Sequence, residues 1–183
     1  MTFGSPIIQG NIIRHNGREP GCSGGGGGGI KVGGYIPGTP AARILENVIT
    51  DNAALDGFFA GEGGGIYINS AGPLIIRGNV ISRNTAGGVS PCAHGGGIYA
   101  INISNPLFIQ NQITDNSAPC GGGIYWAGRT DNTAPLFVNN TIANNSSLQG
   151  SGIYAEAFDA QTQLFNNIIF GKTGQIAVFL RAP

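Results

Sequence analysis

The pentapeptide Gly-Gly-Gly-Ile-Tyr stands at 63–67, 95–99 and 121–125, with a reduced form at Gly152-Ile153-Tyr154 and a forerunner at Gly28-Gly29-Ile30. Such self-similarity marks a repeat architecture, in which each unit can bury its apolar face only against its neighbours. A second motif, Asn-x-Ile-x-x-Asn, runs between the copies at Asn11–Asn16, Asn47–Asn52, Asn79–Asn84, Asn111–Asn116 and Asn140–Asn145, and decays after Asn167. The leading asparagines are 36, 32, 32, 29 and 27 residues apart, and the variation falls in Gly, Ser, Pro and Ala-rich stretches. Loops vary while the apolar segments stay constant.

Each unit holds three short apolar segments, and none shows the i, i+3, i+4 pattern that a helix needs. The first is Ile66-Tyr67-Ile68 and its kin; the second is Pro73-Leu74-Ile75-Ile76, Pro106-Leu107-Phe108-Ile109 or Pro135-Leu136-Phe137-Val138; the third is Val80-Ile81-Ser82 and its kin. Three strands per coil, stacked coil on coil at about 4.8 Å, pair every backbone group and close one core. The pattern predicts an all-β parallel solenoid of about six coils. Ile13, Ile49, Ile81, Ile113, Ile142 and Ile169 then form one inward column, and Ile30, Ile66, Ile98, Ile124 and Ile153 another. Asn11, Asn47, Asn79, Asn111, Asn140 and Asn167 fall at the bend between second and third strands, where stacked amides can bond one another and the turn.

Nine basic and nine acidic residues give a formal net charge of zero. That leaves no footprint for the phosphates of nucleic acid or an anionic membrane surface. Thirty-three glycines in a hydrophilic chain would suggest disorder, but 41% apolar content in short regular runs indicates a packed core with many turns. With no linker or charge block, residues 1–183 read as one domain. No apolar run is long enough to insert in a bilayer, and Met1–Gly10 lacks the features of a signal peptide. Apolar sequence at both ends, Ile7-Ile8 and Ile176–Leu180, suggests a piece of something longer. Unpaired strand edges at the solenoid's ends are expected to favour end-to-end self-association.

The pairing of Gly-Gly-Gly-Ile with Phe108-Ile109-Gln110-Asn111 and Phe137-Val138-Asn139-Asn140 resembles the Gly-Gly-Ala-Ile and Phe-x-x-Asn repeats of chlamydial polymorphic outer-membrane proteins and related secreted bacterial β-helix proteins. The resemblance covers nearly the whole chain. It implies a right-handed parallel β-helix of the pectate-lyase-like class, secreted or displayed at the cell surface, with adhesion a role of some members. The departures, Lys31 in place of tyrosine and the loss of the glycine triplet from the last coil, suit terminal repeats.

Two constellations are candidates for chemistry. Tyr67, Tyr99, Tyr125 and Tyr154 follow inward isoleucines, so strand alternation turns them outward as a stack. Such a stack would be a platform for sugar rings, or would simply hold coils together through mutual contact. Trp126, beside Tyr125, is expected in the core. His15, Asp51, Arg83, Asp115 and Asn144 form a second column. Within it Asp51, Arg83 and Asp115 read as a salt-bridged ladder, with carboxylates two coils or about 9.6 Å apart. That separation resembles the one some glycosidases use, but a register-fixing surface charge ladder is the preferred reading.

Enzymes of this fold carry recognisable equipment, and a polygalacturonase-like set is missing: no acidic residues are adjacent, and the nearest approach to Gly-His-Gly is Ala93-His94-Gly95. A lyase would rely on Arg83 or Arg77 as base and on calcium held by dispersed acids. No Cys or His cluster has metal-ligand spacing, and no cofactor is expected otherwise. Cys92 and Cys120, at similar places in consecutive coils, could form a disulfide in an exported protein, with Cys22 left over. The expected function is a structural or adhesive surface module with a polysaccharide or glycan surface as partner. The competing class is a polysaccharide lyase or glycoside hydrolase built on Asp51, Arg83 and Asp115.

Overall fold

The computed structural model describes residues 6–17, 26–34, 41–56, 60–69, 73–88, 93–103, 105–128, 134–156 and 162–181. Every named element in them is a strand. The strands assemble into three parallel sheets of six. The first sheet stacks Ile30–Gly33, Ile66–Asn69, Ile98–Ile101, Ile124–Ala127, Ile153–Glu156 and Val178–Arg181. The second stacks Ile7–Gln9, Ala42–Leu45, Leu74–Arg77, Leu107–Ile109, Leu136–Val138 and Gln163–Phe165. The third stacks Ile12–Arg14, Val48–Thr50, Val80–Ser82, Gln112–Thr114, Thr141–Asn145 and Ile168–Gly171. Neighbours in a sheet lie one full coil apart in sequence, so the molecule is an all-β parallel solenoid.

A further short sheet, Ala53–Asp56 paired with Thr85–Gly88, follows the third sheet. It continues through single bridges at Gly17, Ser117 and Ser146. Three strands per coil build the three main sheets as expected, and this short fourth pairing is an addition that the sequence pattern does not signal. Thr85, Ala86 and their neighbours lack an apolar run, and it is the register set by the coils on either side that draws them into pairing.

Registers place like residues in columns. Ile49, Ile81, Ile113 and Ile142 are fully buried in one, with Ile13 and Ile169 half-buried at its ends. Ile66, Ile98, Ile124 and Ile153 form another. In the second sheet Phe108 and Phe137 stack with centroids 4.6 Å apart and planes 8° apart. Trp126 is 1% exposed and lies in the core, where Ala100 and Ala155 on the adjacent strands leave volume for its indole.

The bend between second and third sheets is held by the expected asparagine ladder. Asn79 Nδ2 donates to Asn111 Oδ1 at 3.0 Å, and the Asn79 amide N–H donates to the same oxygen at 3.0 Å. Its other Nδ2 hydrogen goes to the Ile44 carbonyl at 2.9 Å. The same set recurs at Asn47, Asn111 and Asn140, so each buried amide has its donors and acceptor satisfied. A second ladder of the same geometry joins Asn16, Asn52, Asn84, Asn116 and Asn145. It uses the closing asparagine of the same hexapeptide motif, and the constant five-residue offset between the two asparagines is the signal that reveals it.

Candidate functional site

The tyrosines point away from the isoleucine core, as strand alternation requires, yet they are buried: Tyr67, Tyr99, Tyr125 and Tyr154 are 7%, 7%, 5% and 4% exposed. The expectation of an open aromatic platform is therefore corrected. Its cause is the glycine triplet. Gly63, Gly95, Gly121 and Gly150 have φ of 64, 66, 65 and 61°. This left-handed conformation is open to glycine without steric cost, and it folds the preceding segment back along the outer side of the strand. His94 thereby packs against Tyr125 at 4.3 Å and Tyr99 at 5.9 Å between ring centroids. Cys120 lies against the same rings, together with Ile101, Ala127 and Phe179. The remaining glycines of the triplet lie where coils approach closely: a Cβ on Gly96 would come 2.5 Å from the Gly122 carbonyl oxygen, and one on Gly97 2.6 Å from that of Gly123.

The rings form a continuous ladder. Successive centroids are 5.3, 5.3 and 5.1 Å apart, with planes 10–20° from parallel. Phe179 closes one end at 5.0 Å from Tyr154, and the Lys31 ammonium sits 5.1 Å above Tyr67 at the other. The two departures from tyrosine in the repeat thus sit at the two ends of the stack.

Polar groups gather where the ring hydroxyls emerge. The Tyr154 hydroxyl donates to Glu156 Oε1 at 3.5 Å; the Glu62 carboxylate, one coil earlier, acts on Tyr99, and that of Glu156, one coil later, acts on Tyr125. Tyr67 accepts from Asn69 Nδ2 at 3.0 Å. Arg181 NH1 donates to Glu156 Oε1 at 3.2 Å. Burial, reinforced by these carboxylates, pushes both the Tyr99 and Tyr125 phenols well above their ordinary range. They are hydrogen-bond donors at any physiological pH. His94 Nδ1 is buried 3.9 Å from Glu62 Oε1, with no hydrogen-bond partner among the described residues. Glu62, His94, Glu156 and Arg181 carry no repeat signature, and only their register against the tyrosines singles them out.

The second predicted constellation is a corner, not a cleft. His15, Asp51, Arg83, Asp115 and Asn144 all have left-handed backbones, with φ of 55, 56, 53, 58 and 57°. Arg83 turns its guanidinium to Asp51, with Nε–Oδ1 at 2.8 Å and NH2–Oδ2 at 2.9 Å. Asp115 acts on Arg83 only through space. The expected three-membered ladder is thus corrected to a bidentate pair. The Arg83 hydrogen bonds, set against some desolvation, hold the Asp51 carboxyl at about 2, so it is ionised at neutral pH. An ionised aspartate locked in a fork cannot serve as a general acid.

Among the described residues no group of three or more His, Cys, Asp or Glu could hold a metal ion. The Cys92–Cys120 pairing and Cys22 fall outside the described residues. No helix among them is long and apolar enough to cross a membrane. A small apolar cavity of about 50 Å³ lies at the C-terminal end of the core, lined by Trp126, Phe137, Leu164, Val178 and Leu180 among others.

No curated protein matches the chain, and no solved structure does. Residues 59–182 match the family described as right handed beta helix region. That match covers more than half of the sequence, and within it lie four or five of the six strands of each stacked sheet. The chain belongs to the right-handed β-helix family.

Proposed function

We propose that the protein is a structural and adhesive β-helix module, exported or displayed at a cell surface, with glycans as its ligands. One observation carries the structural part: the residues that recur once per coil are consumed in joining coil to coil. Both asparagine ladders lie inside the molecule, and the tyrosines contact one another. What varies between coils is left for recognition. On the tyrosine flank Asn69, Asn102, Glu156 and Arg181 line a polar rim, with Asn102 Nδ2 donating to Asn69 Oδ1 at 3.2 Å. Amide, carboxylate and guanidinium groups repeating at coil spacing suit the hydroxyls of an extended sugar chain. The likeness of the repeats to those of secreted bacterial β-helix proteins supports export.

A second reading, a polysaccharide lyase or hydrolase, is favoured by one observation. The Glu62 and Glu156 carboxylates act on adjacent tyrosines whose rings are 5.3 Å apart, with His94 Nδ1 3.9 Å from Glu62 Oε1. An active site would be sought there before Asp51, Arg83 and Asp115, with calcium as the cation a lyase would need. The discriminating experiment incubates the chain with neutral and acidic polysaccharides, with and without calcium, and reads both retention and polymer length. Retention without shortening, weakened by Asn102→Ala or Arg181→Ala, is the expected result. Shortening of any polymer that is lost in Glu62→Gln or Glu156→Gln would replace this reading with the enzyme.

A further inference from the structure

The residue just before each glycine turn differs from coil to coil: Glu62, His94, Cys120 and Gln149 precede Gly63, Gly95, Gly121 and Gly150. Single parallel bridges join Glu62 to His94, His94 to Cys120 and Cys120 to Gln149, so the four stand in one column, each a coil from the next. Residues paired across parallel segments turn their side chains to the same side. The column therefore sets a carboxylate, an imidazole, a thiol and a primary amide in line. The geometry points to a nucleophilic thiol site, at which Cys120 accepts an acyl group from an ester. This chemistry is separate from glycan binding.

Each neighbour supplies something that step needs. The His94 ring belongs to the coil of Tyr99 but lies nearer Tyr125, at 4.3 against 5.9 Å between centroids, so it leans toward the coil of Cys120. Cys120 packs against the same rings. On the other side His94 Nδ1 is 3.9 Å from Glu62 Oε1, buried and with no hydrogen-bond partner among the described residues. A carboxylate movement of about 1 Å closes that gap to a hydrogen bond, and such bonds are often long until a substrate binds. With Nδ1–H committed to Glu62, the lone pair falls on Nε2, the nitrogen that can take the thiol proton. The thiolate is the nucleophilic form of cysteine. Its sulfur bonds to the ester carbonyl carbon, the ester C–O bond breaks, and the alcohol departs with the proton that His94 took from Cys120, leaving an S-acyl cysteine. Gln149, exposed at the next place in the column, carries an amide N–H for the carbonyl oxygen while that oxygen is negative. Side-chain exposures of 21% for His94 and 25% for Glu62, with Cys120 half-buried, leave the column reachable. Glu62 is a positioning residue, whereas Cys120, His94 and Gln149 meet the reacting atoms. Glu62, His94 and Cys120 do not form a group that could hold a metal ion, which suits a relay in line.

The probe is p-nitrophenyl acetate, with nitrophenolate release followed by absorbance and the acetyl group located by peptide mass mapping. Acetylation is expected at Cys120 ahead of Cys22 and Cys92, faster in the folded chain than in urea, and absent at that position in Cys120→Ser. His94→Gln should slow acetylation of Cys120 about 10²-fold, the usual share of a general base. Glu62→Gln and Gln149→Ala should slow it by smaller factors, the first because it acts through His94 and the second because its amide is exposed. His94→Phe separates chemistry from packing, since a phenyl ring can still cover Tyr99 and Tyr125 but takes no proton. It should be as slow as His94→Gln while keeping the near-ultraviolet circular dichroism of the tyrosine stack, which also checks that the other variants are folded. Three results overturn the proposal: Cys120 reacting no faster in the folded chain than in urea, acetyl groups falling on Cys22 or Cys92 in preference, or a folded His94→Phe that reacts at the wild-type rate. The last would leave His94 as a cover for the rings and nothing more.

Discussion

Asn79 shows how much one side chain in this fold is asked to do. Its Oδ1 accepts from the amide N–H and Nδ2 of Asn47, and its Nδ2 serves the Asn111 oxygen and the Ile44 carbonyl, at 1% exposure. Asn79→Ala leaves these partners buried and unmet, and is expected to cost about 2–4 kcal/mol in a urea titration. Asn79→Asp keeps the shape but sets a carboxylate oxygen against two acceptors, so it should cost more than alanine despite being isosteric. A result in which aspartate is the milder change would mean that the buried carboxyl takes up a proton and donates in place of the amide. At the neighbouring column the backbone decides. Gly10, Glu46, Gly78, Gln110, Asn139 and Asn166 share φ between 51 and 69°. Left-handed backbone costs a residue with a Cβ about 1–2 kcal/mol, partly offset by the entropy that glycine loses on folding. Gln110→Gly should therefore stabilise by roughly 0.5–1 kcal/mol, and Gln110→Val, β-branched at positive φ, should destabilise by at least about 1 kcal/mol. The two urea midpoints, moving in opposite directions, are the check.

At the level of the element, the tyrosine strand has a pH signature. A phenol raised in the folded state is stable as the neutral form, so its contribution is complete below the unfolded value of 10.0 and is lost as pH rises beyond it. Tyrosinate absorbance should show Tyr99 and Tyr125 ionising together with the alkaline loss of β structure, after any tyrosine that is freely exposed. Tyr99→Phe and Tyr125→Phe should each soften that alkaline transition. The same strand shows where sequence reading stops. Alternation is a property of the strand alone, and it sends Tyr99 away from Ile98 correctly. Whether the outward side is open depends on what the chain does before the strand, and there Gly95 turns His94 back over the rings. The glycine triplet announced a tight turn, but neither its direction nor its covering effect follows from composition. Arg83 and Asp115 failed differently: sharing a column fixes their spacing, but side-chain rotamers gave the whole fork to Asp51.

For the whole molecule, stacking was legible because a period written five times in isoleucine and asparagine admits few other arrangements. The short fourth sheet was not, since Thr85–Gly88 is paired by its neighbours' register and not by its own residues. Stacking also makes stability a property of position. In a solenoid each coil contacts only the coils beside it, so an interior coil has two interfaces and an end coil one. Ile81 and Ile169 occupy the same column and differ mainly in that respect: Ile81 is fully buried, and Ile169 is half-buried in the last coil. Ile81→Ala is expected to cost about 2–5 kcal/mol, as a well-packed core deletion does, and Ile169→Ala distinctly less because the open end can collapse around it. Amide exchange on dilute protein should run in parallel, slowest in Val80–Ser82 and Gln112–Thr114 and fastest in Ile7–Gln9 and Gln163–Phe165. If all strands exchanged at one rate, the molecule would unfold as a single cooperative unit and the two substitutions would differ only through their burial.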